Sequence, residues 1–126
     1  MHELSLAGGI LRVVEDAAQR EGFVRVSQLH LEAGALSGVE VRALRFALDT
    51  MRSGTCLAGA EIIIDEPPGT AWCLRCACTV TIASRADACP QCGGFQIQPT
   101  GGTDLRVVDL MVHDAPAQVA LNPGEQ

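Results

Sequence analysis

Two short cysteine pairs constrain this chain more than anything else in it. Cys73-Leu-Arg-Cys76 and Cys89-Pro-Gln-Cys92-Gly93-Gly94 are Cys-x-x-Cys knuckles separated by twelve residues. That spacing is the pattern of a structural four-thiolate zinc site, a tetrahedron built from two ends of one hairpin module. Sulfurs three residues apart can grip one ion because the intervening turn points both the same way, and Gly93-Gly94 lets the backbone bend tightly behind the second pair. Four thiolates leave zinc no open position for water, so the site is expected to hold structure rather than catalyse. A module of this size, with Trp72 and Phe95 as its aromatic residues, has too little core to fold without metal. Trp72 is expected to pack over the first knuckle. Cys78 competes on paper with Cys76, but Cys76 alone gives two matching knuckles.

Six cysteines in 126 residues would also suit a disulfide-stapled exported domain. Four of them sit in metal spacing, however, and the start of the chain has no basic segment or cleavage site of an export signal, so a cytoplasmic location is expected. No apolar run approaches the roughly 18 residues that span a bilayer, which argues against a membrane role. Nucleic-acid binding, the common alternative for a zinc ribbon, is disfavoured by charge. The formal net charge is −6, all nine basic residues are Arg, and aromatic residues make up 3%, whereas phosphate neutralisation and base stacking need the reverse. Between Thr70 and Gln98 the ionised side chains are Arg75, Arg85 and Asp87. Four thiolates around one divalent ion then leave the module near about −1. A thiol redox enzyme using Cys76 or Cys78 is the remaining rival, and it requires a fast-reacting thiolate in the metal-loaded protein.

Hydrophobic periodicity supplies the rest of the organisation. Leu4, Ala7, Leu11, Val14 and Ala18 recur at helical spacing, with Gly22 placed to end the helix. Gly8 and Gly9 each cost roughly 1 kcal/mol relative to Ala in a helix interior, so its first turns are expected to be loose unless they pack closely on a neighbour. Val24 to Ala33 reads as a strand whose phase breaks between Val26 and Leu29, as a bulge or a later start would give. Ser37-Gly38-Val39-Glu40 has the form of a capping box ahead of a helix that buries Leu44, Ala47, Leu48 and Met51. Ala60 to Asp65, apolar on both faces, is expected inside a sheet. Pro67-Pro68-Gly69 and residues 99–103 read as linkers, and Leu105 to Val112 is a further strand.

Because a strand lies just outside each linker, an insertion is the economical arrangement. The expected fold is α+β: a small mixed three-stranded sheet with two helices, interrupted by an inserted zinc-ribbon-like module. In residue terms, 1–69 with 99–114 form one domain, 70–98 the four-cysteine insert, and 115–126 a disordered tail. Two sequential domains would leave Leu105–Val112 as a lone strand, which is unstable.

A second constellation sits at the amino terminus. A bulky residue at position 2 normally blocks removal of the initiator Met, so His2 is expected to follow a free Met1 amine. An α-amino group, backbone amide nitrogens and one imidazole within three residues can close a chelate around a square-planar ion, a preference of divalent nickel or copper. The plainer reading is a frayed, exposed terminus, and His30 and His113 read as solvated surface residues.

Met1-His2-Glu3-Leu4-Ser5-Leu6, the Gly34-Ala35-Leu36-Ser37 turn with Val39-Glu40, and the two cysteine knuckles together resemble the HypA/HybF family, nickel metallochaperones of [NiFe]-hydrogenase maturation. The resemblance runs from residue 1 to about residue 114. It implies a non-enzymatic protein in which His2 and the backbone and amine of Met1, His2 and Glu3 bind nickel as transferred cargo. It implies structural zinc on Cys73, Cys76, Cys89 and Cys92, and a supporting or partner-facing role for Glu3. The implied partners are a GTPase hydrogenase accessory protein and the hydrogenase large-subunit precursor, with urease accessory proteins as a further candidate. Gly8-Gly9 and the extra thiol Cys78 are the departures from the family pattern.

Overall fold

A computed structural model describes residues 2–114 of the chain. Met1 and the expected tail over 115–126 lie outside the described residues. The elements in chain order are α1 (His2–Glu21), β1 (Phe23–Ala33), α2 (Val41–Met51), β2 (Glu61–Asp65), β3 (Gly69–Cys73), β4 (Cys78–Ile82), β5 (Ile97–Gly101) and β6 (Leu105–Asp114). They form two three-stranded sheets, of order β2-β1-β6 and β4-β3-β5. By its contacts the chain falls into two compact units, one from Met1–His30, Glu40–Ile63 and Val107–Gln126, the other from Leu31–Val39 and Ile64–Arg106.

The first unit is built on the helical stripe of α1. Ala7, Ile10 and Val14 are buried along that stripe, together with Phe23, Val26 and Leu29 of β1, Leu44, Ala47 and Leu48 of α2, and Leu57, Ala60 and Ile62. A fully buried Leu contributes about 1.5–3 kcal/mol by leaving water, so this set of side chains is the main support of the unit. The helix runs unbroken through Gly8 and Gly9. A β-carbon at Gly8 would stand 3.5 Å from the Met51 methyl group, whereas one at Gly9 would meet nothing within 4 Å. A β-carbon fits at both positions, in ordinary contact at Gly8 and in open space at Gly9, so close packing accounts for neither glycine. Gly22, at φ 80°, closes the helix, and its amide donates to the Ala18 carbonyl at 2.8 Å, the left-handed cap expected there.

Two expectations are corrected in this unit and the turn leading into it. Ser37 is not the N-cap of α2. Glu40 is, and its own carboxylate accepts the Ala43 amide at 3.1 Å. Gly38 sits at φ 78°, which no helical turn can include, so the Ser37 hydroxyl instead accepts the Val39 amide two residues on, at 3.3 Å. The strand β2 is an edge, not the interior of its sheet. The central strand is β1, and Ile63 and Ile64 are only half-buried, because an apolar run signals burial without saying which flank supplies it. The strand expected over Val24 to Ala33 is present as β1 from Phe23 to Ala33, so of the two readings of its broken phase the later start falls away. Its buried positions shift phase between Val26 and Leu29, with the Val26 amide donating to the Cys56 carbonyl at 2.9 Å.

The second unit is an antiparallel sheet. β3 pairs with β4 from Gly69 opposite Ile82 to Cys73 opposite Cys78, and with β5 from Ala71 opposite Pro99 to Cys73 opposite Ile97. Its core is Leu36, Ala71, Cys73, Val80, Ile82 and Cys89. Residues expected as linkers are partly strand here. Gly69 opens β3, and Pro99 lies within β5, an edge strand where a missing N–H is tolerated. A register irregularity sits between Thr70 and Ala71, next to that Pro. Trp72 is 40% exposed on the face of β3 opposite Cys73, so it does not cover the knuckle as expected; strand alternation sends it outward.

Three glycines in this unit mark a place where backbone meets backbone. A β-carbon at Gly34 would strike the Gly102 carbonyl, and one at Gly102 would strike Pro68 and lie 2.9 Å from the Gly69 Cα. The Gly34 amide donates to the Asp104 carbonyl at 3.0 Å, Ala35 to Pro67 at 2.9 Å, and Leu36 to Gly102 at 2.8 Å. Three passes of the chain are thus tied together at residues with no room for side chains.

Candidate metal centre

The sheet of the second unit presents its cysteines through two turns of one design. In the first, the Ala77 amide donates to the Cys73 carbonyl at 2.8 Å and the Cys76 amide approaches the Cys73 sulfur at 3.4 Å. In the second, the Gly93 amide donates to the Cys89 carbonyl at 2.8 Å and the Gln91 amide approaches the Cys89 sulfur at 3.4 Å. Each turn ends in a left-handed residue, Ala77 at φ 53° and Gly93 at φ 74°. That conformation costs a residue with a β-carbon roughly 1–2 kcal/mol, so Ala77 is held there by its surroundings. Two further bonds complete the turns: Leu74 N to Gln96 O at 2.9 Å ties the first turn to the residue before β5, and Cys89 N to Gly94 O at 2.8 Å closes the second turn on itself.

The four ligand-type sulfurs, of Cys73, Cys76, Cys89 and Cys92, lie within 4.8 Å of one another. The Cys73–Cys92 separation is 3.8 Å and the Cys76–Cys89 separation 4.0 Å. Tetrahedral sulfurs about 2.3 Å from a zinc ion stand about 3.8 Å apart, so the donor set fits such an ion in both number and spacing. Cys73 and Cys89 are buried, and Cys76 and Cys92 half-buried. Without a cation these thiols resist ionising together. Burial, followed by hydrogen bonding to Cys92 and the other sulfurs, pushes the Cys76 thiol up to about 12. The Cys92 and Gln91 amides draw Cys89 down to about 7 against the opposing effect of burial. A divalent ion removes the conflict by compensating several thiolates at once. Cys78 stays outside the set, its thiol directed at the Gln91 side-chain oxygen at 3.7 Å. Cys56 is half-buried, not fully buried as a core residue would be, and burial with the Glu15 carboxylate nearby raises its thiol above the ordinary range.

At the other candidate centre, His2 is exposed in the first turn of α1, with its Nδ1 3.9 Å from the Glu3 carboxylate. The same carboxylate oxygen accepts the Glu40 amide at 2.9 Å. That amide, and Glu3's own, hold the Glu3 carboxyl below its usual range. Sequence reasoning missed this Glu3–Glu40 link, since a contact between residues so far apart leaves no periodic signal. The Met1 amine lies outside the described residues. His30 Nδ1 is 3.8 Å from the Asp109 carboxylate. His113 is exposed near the end of β6.

A two-helix α+β unit and a four-cysteine, zinc-ribbon-like module make up the fold. Residues 1–112 match the family described as "Hydrogenase/urease nickel incorporation, metallochaperone, hypA". Relatives named hydrogenase maturation factor HypA are 63% identical in Cupriavidus necator, covering 90% of this chain and 96% of the relative, and 59% identical in Polaromonas naphthalenivorans, covering 90% and 99%. The solution structure of the nickel metallochaperone HypA from Helicobacter pylori shares the fold, with a TM-score of 0.64 at 16% identity over 90% of this chain and 98% of that one. The chain belongs to the HypA family of nickel-incorporation metallochaperones. Among its described residues no helix is long and apolar enough to cross a membrane.

Proposed function

We propose that this protein takes up nickel at its amino terminus and delivers it to the large-subunit precursor of a [NiFe]-hydrogenase. The ligands on this reading are the His2 imidazole, the Met1 amine and the backbone nitrogens of His2 and Glu3. The observation that carries it is the placement of His2 and Glu3 in the first turn of an exposed helix end. Amides of a first turn have no intrahelical acceptor, so committing them to a metal breaks no helical hydrogen bond. Glu3, held by Glu40, keeps a carboxylate beside the imidazole. An exposed nitrogen set suits cargo, because an acceptor can displace such ligands one at a time.

The four cysteines hold zinc as a permanent structural ion, a role supported by their closed, half-buried geometry. In this reading the nickel-binding domain is 1–69 with 99–114 and the zinc module 70–98. The protein works in the cytoplasm with a GTPase accessory partner, and urease accessory proteins are further candidate partners, in line with the urease nickel incorporation in the family's description. Nickel titration of the untagged protein tests the assignment. His2→Ala, or an extension placed ahead of Met1, is expected to abolish tight nickel binding with zinc content unchanged. Full nickel stoichiometry in both variants would falsify the amino-terminal site.

A further inference from the structure

Cys78 has no role in the reading above, yet its position is specific. It opens β4 directly opposite Cys73 in the antiparallel register. Opposed residues of such a pair carry their side chains on the same face, and Cys78 packs against the module core that includes Cys73, its thiol 3.7 Å from the Gln91 side-chain oxygen. Cα atoms of directly opposed residues stand about 4.5–5.5 Å apart, inside the roughly 4.4–6.8 Å that a disulfide bridges. The two thiols differ in access, since Cys73 is fully buried and Cys78 half-buried. Of the four clustered cysteines, Cys73 alone has this cross-strand relation to the extra thiol. None of the six is in a disulfide in this structure.

We propose that Cys78 is an oxidation site through which hydrogen peroxide releases the metal of the four-cysteine cluster. The Cys78 thiol is oxidised by peroxide to a sulfenic acid, the oxidant being reduced to water. The Cys73 thiolate then leaves the metal and attacks the Cys78 sulfur, forming the Cys73–Cys78 disulfide and expelling hydroxide, which is protonated to water. Two thiols lose two electrons and two protons in all, and one peroxide becomes two waters. The cluster keeps three thiols, too few to close a tetrahedral site, while the new bond joins β3 to β4 in their existing register. The inference rests on the reading that the four sulfurs hold zinc.

The test uses the full-length protein, with zinc content measured first and hydrogen peroxide then added in small excess. Zinc release is followed with a chromophoric chelator. Remaining thiols are alkylated, and the bridge is located by tandem mass spectrometry. The expected result is one zinc released per Cys73–Cys78 bridge, with Cys76, Cys89 and Cys92 alkylated, and zinc binding regained on reduction. Cys78→Ser, a near-isosteric change at a half-exposed position, is expected to slow release several-fold. Release at the wild-type rate in that variant, or bridges confined to Cys76, Cys89 and Cys92, overturns the proposal. A protein that holds no zinc beforehand but still forms the Cys73–Cys78 bridge overturns the zinc reading and leaves the bridging chemistry standing.

Discussion

The cysteine cluster and the amino terminus handle metal ligands in opposite ways. Around the cluster, two of the four residues are buried and backbone amides approach the Cys73 and Cys89 sulfurs, so the donors are aimed before any ion arrives. At the terminus an imidazole stands in solvent, and the residue beside it is fixed through a single carboxylate. Preorganised donors favour retention, and exposed, loosely held donors favour exchange. On the proposed reading, this contrast is what would let one small chain carry both a resident ion and a travelling one.

The largest break in this contrast comes from removing a preorganised donor. Structural zinc contributes on the order of 10–16 kcal/mol in small modules, so Cys89→Ser is expected to lose zinc and the structure of β3, β4 and β5. Amide exchange should become unprotected there and stay protected in α1 and α2. Exchange protection unchanged across the module would count against a metal-dependent fold. A smaller effect probes the other region. The Glu3 carboxyl has a lowered pKa in the folded protein, so its charged form stabilises the fold above its ordinary value and that contribution is lost as pH falls through the lowered one. Melting of Glu3→Gln against the wild type should differ at neutral pH and converge in acid; a difference that persists below the carboxylate range refutes the sign. The smallest effect compares the two knuckles with each other. Ala77→Gly removes a β-carbon from a left-handed position that Gly93 occupies without one, and it is expected to stabilise the module by up to about 1 kcal/mol. A lower melting temperature would show that the Ala77 methyl group makes contacts worth more than its strain.

What could be read from the residues depended on the range of the interaction. The cysteine module, the helix ending at Gly22 and the α+β class follow from spacing, period and a left-handed glycine, all local signals. The cap of α2 did not, because the capping-box pattern points to Ser37 and the left-handed backbone at Gly38 moves the cap to Glu40. The exposure of Trp72 follows from the alternation of β3 once that strand is known to run through Cys73, and the strand character around Pro99 depends on pairing with β3, which no local pattern encodes. The hold of Glu40 on Glu3 lies further still from local sequence, although it bears most directly on the proposed nickel end.

The glycine crossing has a consequence for how the module is closed. Gly69, where β3 begins, and Gly102, just after β5 ends, are close enough that a β-carbon on one would press on the other. A segment whose two ends meet adds little closure entropy to the chain that carries it, since that cost grows only slowly with length. Leu36, from the chain ahead of α2, is buried in the core of that segment, so the cysteine hairpin is drawn shut at its base by glycines and stoppered by a leucine that is not its own.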